Sequence, residues 1–127
     1  MTVARFRPLS EIEREIIDTL LSADIPGIQK LRDQLDGIGG KTTDRYGSLE
    51  LKVASASSAT EFDGPVVSAV QDDINTVPIL GPYINFILFV KNGLLHELQI
   101  YKSDGQPILD RLQPKKFQVF HSLPKQS

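Results

Sequence analysis

The feature that most constrains the fold is a pair of strand-like segments separated by Asn92-Gly93. Residues 83–91 and 94–101 are rich in β-branched and aromatic residues. Asn-Gly is the preferred pair for a two-residue type I′ turn, which fixes both the hairpin and its register. With that turn, Phe89 is predicted opposite His96 and Leu88 opposite Glu97. The chain is therefore predicted to contain an antiparallel sheet centred on this hairpin.

Two helices are predicted before the sheet. Ser10 and Glu13 have the spacing of a capping box, and apolar residues then recur at helical intervals up to Leu21. Asp24 and Pro26 indicate a second helix start, and the glycines from Gly37 onward indicate its end. The predicted fold class is α+β, with an N-terminal α-hairpin packed on one face of an antiparallel β-sheet.

The remaining segments complete a single-domain prediction over residues 1–127. Residues 10–36 form the helical hairpin, residues 47–112 form mostly antiparallel sheet, and residues 113–127 form a basic tail. Leu49, Leu51 and Val53 alternate with polar residues, as in a strand with one face exposed to solvent. Residues 65–70 suggest a further short strand, and residues 108–112 suggest one helical turn. Alternating apolar residues in the tail could add an edge strand.

Composition excludes several function classes. The 127 residues include no cysteine, which rules out disulfides, thiolate metal sites and cysteine nucleophiles. The net charge of −2 argues against nucleic-acid binding, and no apolar run is long enough for a signal peptide or a membrane span. We therefore expect a cytoplasmic protein that binds neither nucleic acid nor membrane.

Motifs for chemistry are incomplete. Adjacent strand residues point to opposite faces, so His96 and Glu97 are not expected to work as a pair. The glycines of residues 37–43 lack the Walker spacing and follow a helix rather than a strand. We accordingly predict no catalytic residue, no metal site, no cofactor and no enzymatic activity.

Several segments of the chain resemble a family of small uncharacterised bacterial proteins. The resemblance rests on the N-terminal Leu-Ser-x-x-Glu, on Ile25-Pro26-Gly27, on Leu49-x-Leu51-x-Val53, and on the hairpin from Phe89 to Tyr101 with the following Asp104-Gly105. The closing Gly-x-Leu-x-Glu-Leu-x-Ile-Tyr segment is also similar to the last hairpin of proposed immunity proteins of polymorphic toxin systems. Many family members carry a cysteine cluster where this chain has Thr42, Thr43 and Asp44.

The resemblance implies a protein that binds one partner protein, such as an immunity protein that neutralises a basic toxin domain. Carboxylates on the sheet would then meet the basic partner. The candidate partner-binding residues are Glu97, Tyr101, Asp104, Asp72 and Asp73. Two alternatives stay open: a small-ligand-binding or enzymatic domain of unknown chemistry, and a homo-oligomeric structural module such as a homodimer.

Overall fold

The protein is an α+β domain built around one antiparallel sheet. The computed structural model describes residues 6–54, 59–77, 81–109 and 111–121, with the backbone alone for residues 74–77, 81 and 121. The helices are α1 (Glu11–Leu20) and α2 (Ile28–Asp33), and a 3-10 turn covers Pro114–Lys116. The strands are β1 (Arg7–Pro8), β2 (Gly39–Thr42), β3 (Leu49–Lys52), β4 (Gly64–Val77), β5 (Gly81–Lys91), β6 (Leu94–Lys102) and β7 (Gln118–His121).

The strand order of the sheet is β1-β2-β3-β6-β5-β4-β7. The predicted α+β class is confirmed, but the chain does not begin with the helices, because β1 precedes α1 and pairs with β2. The sheet also extends beyond the predicted range of residues 47–112. The glycine-rich segment expected to be a turn forms β2, and the predicted basic tail contributes β7 at the far edge.

The two helices begin differently. Ser10 and Glu13 form the predicted capping box: the Ser10 hydroxyl accepts from the Glu13 amide, and the Glu13 carboxylate accepts from the Ser10 amide. The second helix, by contrast, starts at Ile28 with Gly27 as its N-cap, at a φ of 87°. The prediction that Asp24 caps this helix is wrong. The Pro26-Gly27 pair instead forms a turn before the helix begins.

A β-bulge at His96 changes the predicted register of the central hairpin. Leu95 pairs with Val90, but Glu97 rather than His96 pairs with Phe89, and Leu98 pairs with Leu88. One extra residue on β6 therefore shifts every pair beyond the bulge by one position. The expectation that Glu97 lies opposite Leu88 is wrong. His96 and Glu97 are both half-buried, between the fully buried Leu95 and Leu98.

Side chains on the two faces of the sheet differ in burial, as expected for alternating strand residues. Ile84, Phe86, Leu88 and Val90 of β5 are buried, as are the residues of β6 that pair with them. The same core includes Ile16, Ile17 and Leu20 of α1 and Leu31 of α2. We call this side of the sheet the buried face and the opposite side the outer face.

One end of the buried face carries polar contacts rather than apolar ones. Asp73 and Lys102 form an ion pair of 2.9 Å, and Asp73 also accepts a hydrogen bond from the Leu109 amide. Gln71 donates to the Arg111 carbonyl and accepts from the Gln113 amide. These contacts hold the segment after β6 against the sheet, and its described residues up to Gln113 form neither helix nor strand. The helical turn predicted for residues 108–112 is wrong at every residue there except Asp110, which lies outside the described residues.

Candidate functional site

The outer face carries a row of four side chains that crosses four neighbouring strands. Lys41 of β2 pairs with Glu50 of β3, Glu50 pairs with Glu97 of β6, and Glu97 pairs with Phe89 of β5. Neighbouring strands lie about 4.8 Å apart, so these side chains form a continuous strip. Lys41, Glu50, Glu97 and Phe89 are all half-buried. We call this strip the acidic row.

Two carboxylates face each other directly in the acidic row. Like charges at opposed positions of an antiparallel pair destabilise the sheet. The Lys41 ammonium lies 2.9 Å from the Glu50 carboxylate and compensates one of the two charges. Within the part of the chain that the structure describes, Glu97 takes part in no ion pair.

The Glu50 carboxyl is the member of the acidic row whose pKa is lowered by its neighbours. The hydrogen bond and charge of Lys41 lower the pKa of the Glu50 carboxyl, and the nearby His96 lowers it further. His96 is thus close enough to Glu50 to act on its charge, and Glu97 is the residue paired with Glu50 across the two strands. Among the described residues, no group of three histidine or acidic side chains could hold a metal ion.

A second group of predicted site residues lies at the other end of the outer face. Tyr101 of β6 pairs with Asn85, and Asp72 of β4 pairs with Tyr83. Tyr101 and Asp72 are exposed, and the Tyr101 side chain retains 37% of its accessible surface. Asp104 follows in the turn after β6, where its carboxylate accepts a hydrogen bond of 3.0 Å from the Gln106 amide. Tyr101 lies four positions after Glu97 on β6, a separation of about 13 Å along the strand.

The five predicted partner-binding residues therefore separate into three places. Glu97 lies in the acidic row, and Tyr101, Asp72 and Asp104 lie around the opposite end of the outer face. Asp73 lies on the buried face, where its side chain is 0% exposed and paired with Lys102. Asp73 is thus a structural residue and cannot meet a partner without breaking the ion pair.

Sequence reasoning missed Glu50 as a site residue. Its place on a strand with one wet face was visible in the alternation of Leu49, Leu51 and Val53. Its neighbour was not visible, because β3 pairs with β6 rather than with the next strand along the chain. The alternating pattern of β3 predicts that the Glu50 side chain faces solvent, but it does not predict that Glu97 lies opposite it.

Comparison with known proteins places the chain in a family without assigning an activity. A model described as Domain of unknown function (DUF6984) matches residues 6–112, which is most of the chain. The chain belongs to the DUF6984 family. Neither a curated protein nor a solved structure matches it. The DUF6984 region contains the acidic row and strands β1 to β6, whereas β7 follows its end.

The two helices of this DUF6984 member are short, at ten and six residues. Within the described residues, neither α1 nor α2 has the length and apolar character needed to cross a bilayer.

Proposed function

We propose that this protein acts in the cytoplasm by binding one partner protein through the outer face of its sheet, as an immunity protein that neutralises a basic toxin domain. The observation that carries the proposal is the opposed pair of Glu50 and Glu97, two half-buried carboxylates at paired positions of β3 and β6. Retaining two opposed carboxylates costs stability in the free protein. A cationic partner would relieve that cost, so the pair favours binding.

The surroundings of the pair support a protein partner rather than a simple ion. Phe89 adjoins Glu97 in the same row, and Tyr101 and Phe120 expose 37% and 53% of their accessible surface. Aromatic side chains surrounded by a rim of polar residues are typical of protein interfaces. Carboxylates in such a surface accelerate association with a basic partner.

The proposal includes an arrangement of the helices that leaves the outer face to the partner. In this arrangement α1 and α2 form a hairpin against the buried face. Two observations support it. Ile16, Ile17 and Leu31 belong to the same core as the strand residues, and the buried Gln34 contacts the β5–β6 turn. Gln34 donates to the Gly93 carbonyl and accepts from the Leu95 amide, each at 2.8 Å.

The test is affinity capture from the cells that produce the protein, followed by kinetics with the purified partner. The bait is compared with Glu97→Lys, Asp104→Lys and the control Glu11→Lys, which changes an exposed carboxylate at the start of α1. We expect wild type and Glu11→Lys to retain a stoichiometric basic partner. Charge reversal at Glu97 should lower the association rate about tenfold at low salt, and less at high salt.

A functional arm completes the test. Co-expression with the captured partner should protect cells if that partner is a toxin, and Glu97→Lys should protect less well than Glu11→Lys. Equal capture and equal protection by Glu97→Lys, Asp104→Lys and wild type would show that the outer face is not the interface. An acidic partner would also contradict the proposal.

A further inference from the structure

A cleft opens where β1, the start of β2 and the end of β3 meet. Its volume is about 420 Å³, and its lining includes Phe6, Ile38, Lys52 and Val53. Clefts of roughly 300–1,000 Å³ are the usual size of small-molecule sites. All four of these residues lie within the region matched by the family. The cleft is therefore a feature of the DUF6984 domain rather than of the appended β7.

Two glycines line the cleft at points where neighbouring residues come close to the backbone. A Cβ atom on Gly39 would lie 3.1 Å from the Phe6 Cβ, and one on Gly37 would lie 3.2 Å from the Ala54 Cβ. Both distances are shorter than ordinary contacts between carbon atoms, which are about 3.5–4.0 Å. Gly37 also has a φ of 74°, a conformation that suits glycine. The glycine-rich segment thus allows Phe6 on one side and Ala54 on the other to approach its backbone closely.

The charge of the cleft is positive. Lys41 and Lys52 lie 5.2 Å and 5.7 Å from the centre of the Phe6 ring. Lys41 is paired with Glu50, but among the described residues no carboxylate lies within 4.0 Å of the Lys52 ammonium. Lys52 therefore supplies a positive charge at the cleft that the described part of the protein does not neutralise.

The other cation of the cleft is already neutralised. The Arg7 guanidinium forms two hydrogen bonds with Glu13, at 2.6 Å and 2.8 Å, and a third with the Thr42 hydroxyl. The hydrogen bond from Arg7 holds the pKa of the Glu13 carboxyl below its usual value. Glu13 thus stays ionised and occupies Arg7 at neutral pH. The net charge that a ligand would meet in the cleft comes from Lys52.

We propose that this cleft binds a small organic anion, in which a carboxylate or phosphate group is attached to an aromatic or apolar body. The anionic group pairs with the Lys52 ammonium, and the body packs against Phe6, Ile38 and Val53. Charge-assisted hydrogen bonds are the stronger kind, and apolar walls with a few polar groups are typical of ligand sites. This site adjoins the acidic row, because Lys41 also lies 5.2 Å from the centre of the Phe6 ring, but its existence does not depend on the proposed function.

The test is a titration of the full-length, ¹⁵N-labelled protein followed by backbone amide NMR. The probes are phenyl phosphate, benzoate and inorganic phosphate. We expect saturable shifts at the amides of Gly37, Gly39 and Lys52, with both aromatic probes binding more tightly than inorganic phosphate. Lys52→Gln should weaken binding about tenfold, as expected for the loss of one charge-assisted contact. Lys52→Arg should retain binding.

Lys91→Gln is the matched control, because Lys91 is an exposed strand lysine that does not line the cleft. The dispersion of each spectrum reports whether the variant is folded. If Lys52→Gln is not folded, the titration is made with Lys52→Thr instead. The proposal is overturned by an absence of saturable shifts at the cleft or by equal weakening in the Lys52 and Lys91 variants. Equal affinity for inorganic phosphate and phenyl phosphate would also overturn it, because the apolar walls would then have no role.

Discussion

At the scale of single residues, the Asp73–Lys102 pair shows how a predicted binding residue can serve the fold. The two side chains are 0% and 6% exposed, and their charges lie 2.9 Å apart. Removing water from two charges is costly, and their attraction offsets this cost only while both are present. The pair also contacts the segment after β6, since Lys102 donates to the Pro107 carbonyl and Asp73 accepts from the Leu109 amide.

We predict that breaking this pair destabilises the protein far more than removing it. Asp73→Leu or Lys102→Met should each lower the free energy of unfolding by about 3–5 kcal/mol, because a buried charge is left unpaired. The double variant Asp73→Leu/Lys102→Met should recover much of this loss. Urea denaturation of the three variants and wild type measures the coupling energy between the two sites.

An exposed ion pair provides the comparison. Lys41→Met breaks the contact with Glu50 at the surface and should change the free energy of unfolding by only about 0–1 kcal/mol. If the losses at Asp73 and Lys102 are additive in the double variant, the two charges do not stabilise each other and the interpretation fails.

At the scale of elements, local signals were predictable and non-local ones were not. The capping box of α1 and the turn at Asn92-Gly93 depend on residues close in sequence, so their pattern was sufficient. β2 was missed because Gly39 and Gly40 resemble a turn, and only pairing with β1 and β3 makes the segment a strand. The pairing of Glu50 with Glu97 also joins strands that are distant in sequence, so the sequence did not predict that these two carboxylates face each other.

The bulge at His96 gives the second prediction. Because His96 is the extra residue of β6, its deletion should leave Leu95 opposite Val90 and Glu97 opposite Phe89. Deletion of Gln99 should instead move Ile100 and Lys102 to the wrong face, since a shift of one residue exchanges the two faces of a strand. We expect the His96 deletion to fold, with a loss of stability much smaller than that of the Gln99 deletion.

Amide NMR and urea denaturation distinguish these two deletions. The His96 deletion should retain a dispersed spectrum with changes confined to the neighbourhood of residues 90 and 95–97. Losses of similar size in both variants would mean that the bulge is required for the sheet itself. Its role would then be structural, beyond setting the positions of Glu97 and His96 on the outer face.

At the scale of the whole molecule, the region matched by the family ends before the last strand of the sheet. The match covers residues 6–112, and β7 then pairs with β4 from Val67 to Val70. Phe117, just before β7, stacks on the buried Phe86 with 4.2 Å between ring centres. The appended segment thus covers one edge of the sheet and part of the core. An uncovered edge strand is a site for pairing with other chains.

We therefore predict that a chain ending at Leu112 is less stable and self-associates, whereas a chain ending at His121 behaves as the full-length protein. The shorter chain loses the β4–β7 pairing, the Phe117 stacking and the hydrogen bond of the Gln113 amide to Gln71. Loss of a packed aromatic side chain alone should cost about 3 kcal/mol. Urea denaturation measures the stability, and light scattering over a range of concentrations measures the association.

Phe117→Ala in the full-length protein separates the two effects, because it removes the stacking but retains the strand. This variant should have lower stability but should not self-associate. If the chain ending at Leu112 stays monomeric, the β4 edge is protected by something other than β7.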